Sequence, residues 1–120
     1  MAIVVVADSV DEFRVWRQAQ IQPAAPPVSE IAVRGHATFL ARCAVCHTVR
    51  GGAAGGILGP DLTHLMSRQT IAAGILPNTP RNLSAWIADA QALKPGSRMP
   101  SMHLAASELS DVVGYLHTLH

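Results

Sequence analysis

Two cysteines and a histidine share one pentapeptide, Cys43-Ala44-Val45-Cys46-His47, and the chain of 120 residues has no other cysteine. C-x-x-C-H is the spacing at which two thiols bond a porphyrin while the adjacent imidazole takes the iron's proximal face, the attachment signature of a c-type haem. Three plainer chemistries compete for the same residues. Zinc needs four ligands as a rule, and no second C-x-x-C or H-x-x-x-H follows at finger spacing. A thioredoxin-like dithiol belongs in a βαβ context, whereas Cys46 is followed by glycine-rich loop and short helical patterns. A structural disulfide would close a tight ring of little entropic use and leave His47 without a role.

A second iron ligand is available in Lys94-Pro95-Gly96-Ser97-Arg98-Met99-Pro100. A thioether favours ferrous iron and raises the potential, which suits an electron carrier, and the flanking prolines limit the freedom the loop loses on ordering. Met99 can equally be a core gap-filler. Met102, His103, Met66 and His64 are its rivals; Met99 is favoured over Met102, which has no proline on its C-terminal side.

Gly35-x-x-x-Phe39, Cys43 to His47, Gly59-Pro60-Asp61-Leu62, Met99-Pro100 and Gly114-Tyr115-Leu116, in that order, resemble a class I cytochrome c domain spanning residues 29–120. The resemblance implies an all-α cytochrome c fold, three to five helices around one covalent haem c held by Cys43 and Cys46. It implies His47 and Met99 as axial iron ligands, with the Pro60 carbonyl accepting from His47 Nδ1 and thereby fixing its tautomer. Leu62 would pack near the haem, and Trp86 near a propionate with its indole N–H free to donate.

The elements that must hold these groups can be placed by periodicity. Residues 30–42 put Ile31, Gly35 and Phe39 on one helical face, and Leu109, Val112, Val113, Leu116 and Leu119 recur at helical spacing. In cytochromes c the two corresponding helices cross at a glycine matching Gly35, so a branched residue there should be costly. Thr79-Pro80 caps and opens a third helix carrying Leu83, Trp86, Ile87 and Ala90, and a short helix is expected over Leu62–Arg68. The glycines at 51, 52, 55, 56 and 59 lack the G-K-[ST] of a phosphate loop and read as a flexible connection from His47 to Pro60. His36, His64, His103, His117 and His120 read as surface or helix-end residues, none assigned to a metal. With 19 alanines and only five aromatic residues, the core is short of apolar volume, which a porphyrin would supply. The apoprotein is therefore expected to be largely unfolded.

The first 28 residues lie outside that pattern. Ile3-Val4-Val5-Val6-Ala7 reads as a strand, Ser9-Val10-Asp11-Glu12 as a capping box opening a helix to about Gln20, and residues 21–28 as a stiff proline-rich linker. Residues 1–20 resemble the end of the copper-bearing domain of cytochrome c oxidase subunit II, with Phe13 and Trp16 as its aromatic pair. In the caa-type oxidases a proline linker then leads to a fused cytochrome c. Met1 falls at a copper-ligand position of that family, but no cysteine or histidine precedes it, so a binuclear copper site cannot form here and an initiating methionine is the simpler account.

Nine basic against eight acidic residues, with a single lysine, exclude a nucleic-acid partner and a lysine-ringed docking surface. Docking at the haem edge is expected to be mostly apolar. There is no signal peptide and no apolar run of ~20 residues, so attachment to a membrane would come only through a parent subunit facing the periplasm. The reading is one-electron transfer from an upstream donor to the binuclear copper centre of a terminal oxidase, with no bond-breaking by this chain. The alternatives are a free periplasmic cytochrome c and a haem sensor or peroxidase-like enzyme with an open sixth site.

Overall fold

In the computed structural model of the chain, which describes residues 5–120, the first helix begins where the sequence supplies its cap. Ser9 Oγ accepts from the Glu12 N–H at 3.3 Å and the Glu12 carboxylate accepts from the Ser9 N–H at 3.0 Å, opening α1 (Val10–Gln20). α1 buries none of its residues; Phe13 and Trp16 stack at 5.7 Å with both rings half open to solvent. The strand expected over Ile3–Ala7 falls partly outside the described residues. Its described part, Val5 to Ala7, is exposed and forms no strand, because no partner among the described residues lies beside it.

Residues 21–28 carry no regular structure, yet they do not hang free. Arg50 donates to the carbonyls of Gln20 (2.6 Å) and Ile21 (3.3 Å), and the Ala24 N–H donates to the Arg50 carbonyl at 2.9 Å. Between them, the Gln22 carbonyl meets His64 Nε2 at 3.0 Å. The linker is pinned along the haem-motif side of the domain.

Ser29 caps α2 (Glu30–Arg42), whose inward face is Ala32, Gly35 and Phe39. Ile31 was expected on that face but is partly exposed, lying over Gly114 instead. After a long loop the chain makes a single 3₁₀ turn at Leu65–Ser67, shorter than the helix expected over Leu62–Arg68. It then makes an antiparallel pair, β1 (Thr70–Ile71) and β2 (Leu76–Pro77), which the all-α reading lacked. Thr79 caps α3 (Pro80–Ala88), with Leu83 and Ile87 buried. The helix stops at Asp89, whose backbone leaves the helical region and whose side chain caps α4 (Ala90–Leu93), so Ala90 is buried from a different helix than expected. The chain ends in α5 (Ala106–Leu116).

The main helix contact is α2 against α5. It is close because Gly35 has no side chain: a Cβ there would stand 1.9 Å from the Asp111 carbonyl oxygen. Phe39 and Tyr115 meet beside this crossing with ring centroids 5.5 Å apart and planes tilted by 59°, and Val112, Leu116 and Leu119 complete the core. Arg34 on α2 bridges to Asp111 on α5 through two hydrogen bonds of 3.0 and 3.1 Å, mostly at the surface. The result is a mostly helical domain with one small strand pair.

Candidate functional site

Cys43 is the C-cap of α2, and the pentapeptide turns away from the helix end on its own hydrogen bonds. Cys46 N–H and His47 N–H both donate to the Cys43 carbonyl, at 3.0 and 2.9 Å. One helical turn thus presents both sulfurs, each half-buried, and the imidazole. The sulfurs are not bonded to each other, and burial pushes the Cys43 thiol up to about 11. A redox dithiol needs the opposite shift, toward an easily formed thiolate. This environment suits a sulfur that ends in a thioether.

The glycine-rich loop folds back on this turn. Gly56 N–H donates to the His47 carbonyl, Gly59 N–H to the Cys46 carbonyl (2.7 Å) and Leu62 N–H to the Thr48 carbonyl (2.8 Å). Contact is so close that a Cβ at Gly56 would sit 2.5 Å from the Cys46 backbone, and one at Gly59 would sit 2.6 Å from His47 Cε1. The Pro60 carbonyl then lies 2.9 Å from His47 Nδ1. Nδ1 donates, so the ring is the tautomer whose Nε2 carries a lone pair. That lone pair is what an iron takes.

The loop end is braced by Asp61. Its carboxylate accepts from both the Thr63 N–H and hydroxyl and lies 3.2 Å from Arg50 Nε, at ion-pair range but off the hydrogen-bond angle. Burial pushes the Asp61 carboxyl up, but the Thr63 hydrogen bonds, with Arg50 and Arg68, outweigh it and hold the group below the ordinary range. Leu62 is buried in the core beside it.

The second half of the chain contributes further half-buried apolar residues. Met99, Met102, Leu104 and Trp86 are half-buried, each packed against the core on one side. The Trp86 indole N–H makes no hydrogen bond to the described residues. Among the rivals for the sixth position, His64 is engaged at both nitrogens, Nδ1 with the His120 carbonyl at 2.7 Å and Nε2 with that of Gln22. His103 is exposed on a left-handed backbone, and Met66 is tied by its N–H to the Leu119 carbonyl. The expectation that His64 is a surface residue is corrected: it is 8% exposed, a structural tie between linker, 3₁₀ turn and C-terminus. Tyr115, quoted in the Gly114-Tyr115-Leu116 motif but left out of the apolar stripe, is buried at the α2–α5 crossing.

A helical cradle presents two sulfurs and a tautomer-fixed imidazole on one wall. Thioethers and an unpaired indole donor sit on half-buried apolar residues elsewhere around the core. That donor set fits haem c, and the fold and site are those of a small haem-bearing electron-transfer domain. The sequence model of the family described as Cytochrome c matches residues 32–120, and the chain belongs to that family. Its cofactor is accordingly haem c and its function haem-based electron transfer. The chain is 33% identical to cytochrome c oxidase subunit 2 of Alkalihalophilus pseudofirmus over 91% of its own length and 32% of that protein's. It is 30% identical to the subunit 2 of Bacillus sp. (strain PS3) over the same shares, and 28% identical to that of Bacillus subtilis over 92% and 33%. The chain therefore spans about a third of the length of these relatives.

Proposed function

We propose that the chain carries one haem c, bonded through Cys43 and Cys46 with His47 and Met99 as axial ligands, and relays single electrons from an upstream donor to the binuclear copper centre of a terminal oxidase. The observation that carries this reading is the His47 Nδ1 to Pro60 contact of 2.9 Å, which leaves Nε2 unprotonated beside two cysteines that are not paired with each other. When bound, haem c supplies a ferric–ferrous couple at a potential its surroundings tune. His47 and Met99 would hold the iron between them and leave no open site, which would disfavour oxygen chemistry and a role as sensor or peroxidase. Trp86 would offer its indole N–H to a propionate, and Leu62 would pack near the haem.

In this proposal residues 1–20 close the copper-bearing domain of an oxidase subunit II, 21–28 are the linker and 29–120 the cytochrome c. A likeness that takes in 91% of 120 residues leaves only about 11 outside it, so it includes the linker and most of α1. This favours the oxidase over a free periplasmic carrier. Catalysis then belongs to the parent oxidase, and the domain works at the outer face of the cytoplasmic membrane. No helix of the described residues is long and apolar enough to cross a bilayer, so any anchor lies in the parent subunit. Val45, Ile57 and Leu58 stand exposed around the pentapeptide and its returning loop, an uncharged rim that suits an apolar docking face.

The test is direct. The purified protein should weigh more than its polypeptide by one haem, and its ferrous form should bind carbon monoxide only after Met99→Ala. Electron delivery to a soluble copper domain should vary little with ionic strength. A mass equal to the bare polypeptide, or rapid carbon monoxide binding by the unaltered protein, would refute the assignment.

A further inference from the structure

The loop that presents Met99 has very little backbone support. Between Lys94 and Ser101 its only backbone–backbone hydrogen bonds among the described residues join Lys94 N–H to the Ala90 carbonyl and Ser97 N–H to the Lys94 carbonyl, and Gly96 turns it with φ +80°. No backbone N–H among the described residues reaches the carbonyls of Ser97 or Met99. Two side chains do: Ser97 Oγ donates to the Met99 carbonyl at 3.3 Å, and Gln91 makes the shorter contacts. Gln91 Nε2 donates to the Met99 carbonyl at 2.7 Å, to the Ser97 carbonyl at 2.8 Å and to Ser97 Oγ at 2.9 Å, its two hydrogens shared among three acceptors. Its Oε1 accepts from the Gly96 N–H at 3.3 Å. The amide cannot be flipped without setting oxygen against oxygen, so its orientation is fixed by the loop it holds.

A second tie comes from the residue two places earlier. Asp89, which caps α4, also accepts from Ser101 Oγ at 2.6 Å. The first turn of α4 thus grips the chain before and after Met99-Pro100. Lys94 Nζ, donating to the Ala72 carbonyl at 3.1 Å, anchors the near end of the same loop to the turn between β1 and β2.

We propose that Gln91 is a positioning residue for the sixth iron ligand: its carboxamide preorganises the loop so that the Met99 thioether stays at the iron. This rests on the reading of Met99 as that ligand. A thioether is a weak, neutral donor, so its residence on iron depends on how little order its loop must gain to keep it there. With Gln91 in place the loop carbonyls are satisfied in the ligating conformation. Without it they turn to water, and conformations with Met99 withdrawn gain population.

The experiment uses the haem-loaded protein with Gln91→Glu, which keeps the size but removes the donors, and Gln91→Leu as a second variant independent of charge. Both should bind carbon monoxide in the ferrous state about tenfold faster or more, the effect of losing one or two net hydrogen bonds. The far-red thioether-to-ferric-iron absorption should weaken in parallel. Hydrogen exchange at Gly96 and Ser97 should rise while exchange in α2 and α5 stays at the parental rate. Met99→Ala in the same assay sets the limit for a fully opened site. If Met99→Ala binds carbon monoxide quickly and both Gln91 variants stay at the parental rate, the positioning role is overturned and the ligand assignment stands. If Met99→Ala changes nothing, the ligand assignment falls and takes the positioning role with it.

Discussion

Two glycines on facing helices make opposite predictions from the same chemical change. Adding a methyl at Gly35 places a Cβ 1.9 Å from the Asp111 carbonyl oxygen, 2.5 Å from its carbon and 2.8 Å from Tyr115 Cβ. Ordinary contact begins near 3.4 Å, so the helices must part by more than an ångström at their main crossing. The obstacle is backbone, which cannot rotate aside. Overpacking of this kind costs about 1–3 kcal/mol, and a backbone clash belongs at the upper end. Alanine's better helix propensity returns up to about 1 kcal/mol, leaving a net loss of about 2 kcal/mol. Gly114→Ala meets only side-chain atoms of the partly exposed Ile31, Cγ1 at 2.9 Å, Cδ1 at 3.0 Å and Cγ2 at 3.5 Å, which can shift toward solvent where backbone cannot. Strain and propensity then nearly cancel, within about 0.5 kcal/mol. In urea unfolding of the haem-loaded protein followed by circular dichroism, Gly35→Ala should move the midpoint well down at unchanged slope while Gly114→Ala barely moves it. At about 4–8 °C per kcal/mol for a domain this size, the two melting temperatures should differ by roughly 10 °C. Equal stabilities for the two variants would refute the claim that Gly35 sets the helix separation.

Two further outcomes follow from the linker side. Asp61 is held below its ordinary value of 3.8, so the stability it contributes is present above that pH and lost as pH falls through the lower folded value. Asp61→Asn should therefore flatten the fall in unfolding free energy below pH 3.8, and an unchanged acid limb would contradict the linkage. His64→Leu leaves the Gln22 and His120 carbonyls without partners and should cost about 1–3 kcal/mol, with faster protease cleavage confined to residues 21–28. Cleavage at the parental rate would show that the histidine does not hold the linker.

What could be read from the sequence was local. The pentapeptide, the Ser9 and Thr79 caps and the periodicity of α2 and α5 each depend on residues within a turn or two of one another. The all-α assignment and the crossing of the first and last domain helices came from the resemblance to class I cytochromes c that the motifs carry. What escaped depends on partners far along the chain that leave no side-chain signature. Arg50 reaches carbonyls 29 and 30 residues back, and His64 joins carbonyls 42 and 56 residues away. A backbone carbonyl exists at every position, so no pattern of residue types announces that one of them is used. Gln91 escaped for the same reason, two of its donor contacts ending on main-chain oxygens. The break at Asp89 was hidden differently. Aspartate is tolerated within a helix, and only the capping bond to Ala92 and the reach to Ser101 make it an ending.

The pinned linker changes how the proposed electron path should be pictured. Proline-rich composition over residues 21–28 reads as a stiff, extended spacer, which says nothing of contacts along its length. In the structure, the stretch from Gln20 to Ala24 is held at four successive points by Arg50 and His64, and Arg50 lies three residues beyond His47. α1 itself buries nothing, so its placement is inherited entirely from those contacts. Under the oxidase reading, the copper-bearing domain then meets the haem at an orientation set by Arg50, Asp61 and His64 and not by a search at the end of a tether. A tethered partner gains rate only through effective concentration, which falls with linker length; a fixed one gains it through a held distance. Lengthening residues 25–28, downstream of the pins, should therefore leave intramolecular electron transfer nearly unchanged, whereas Arg50→Ala, which keeps the linker's length, should slow it.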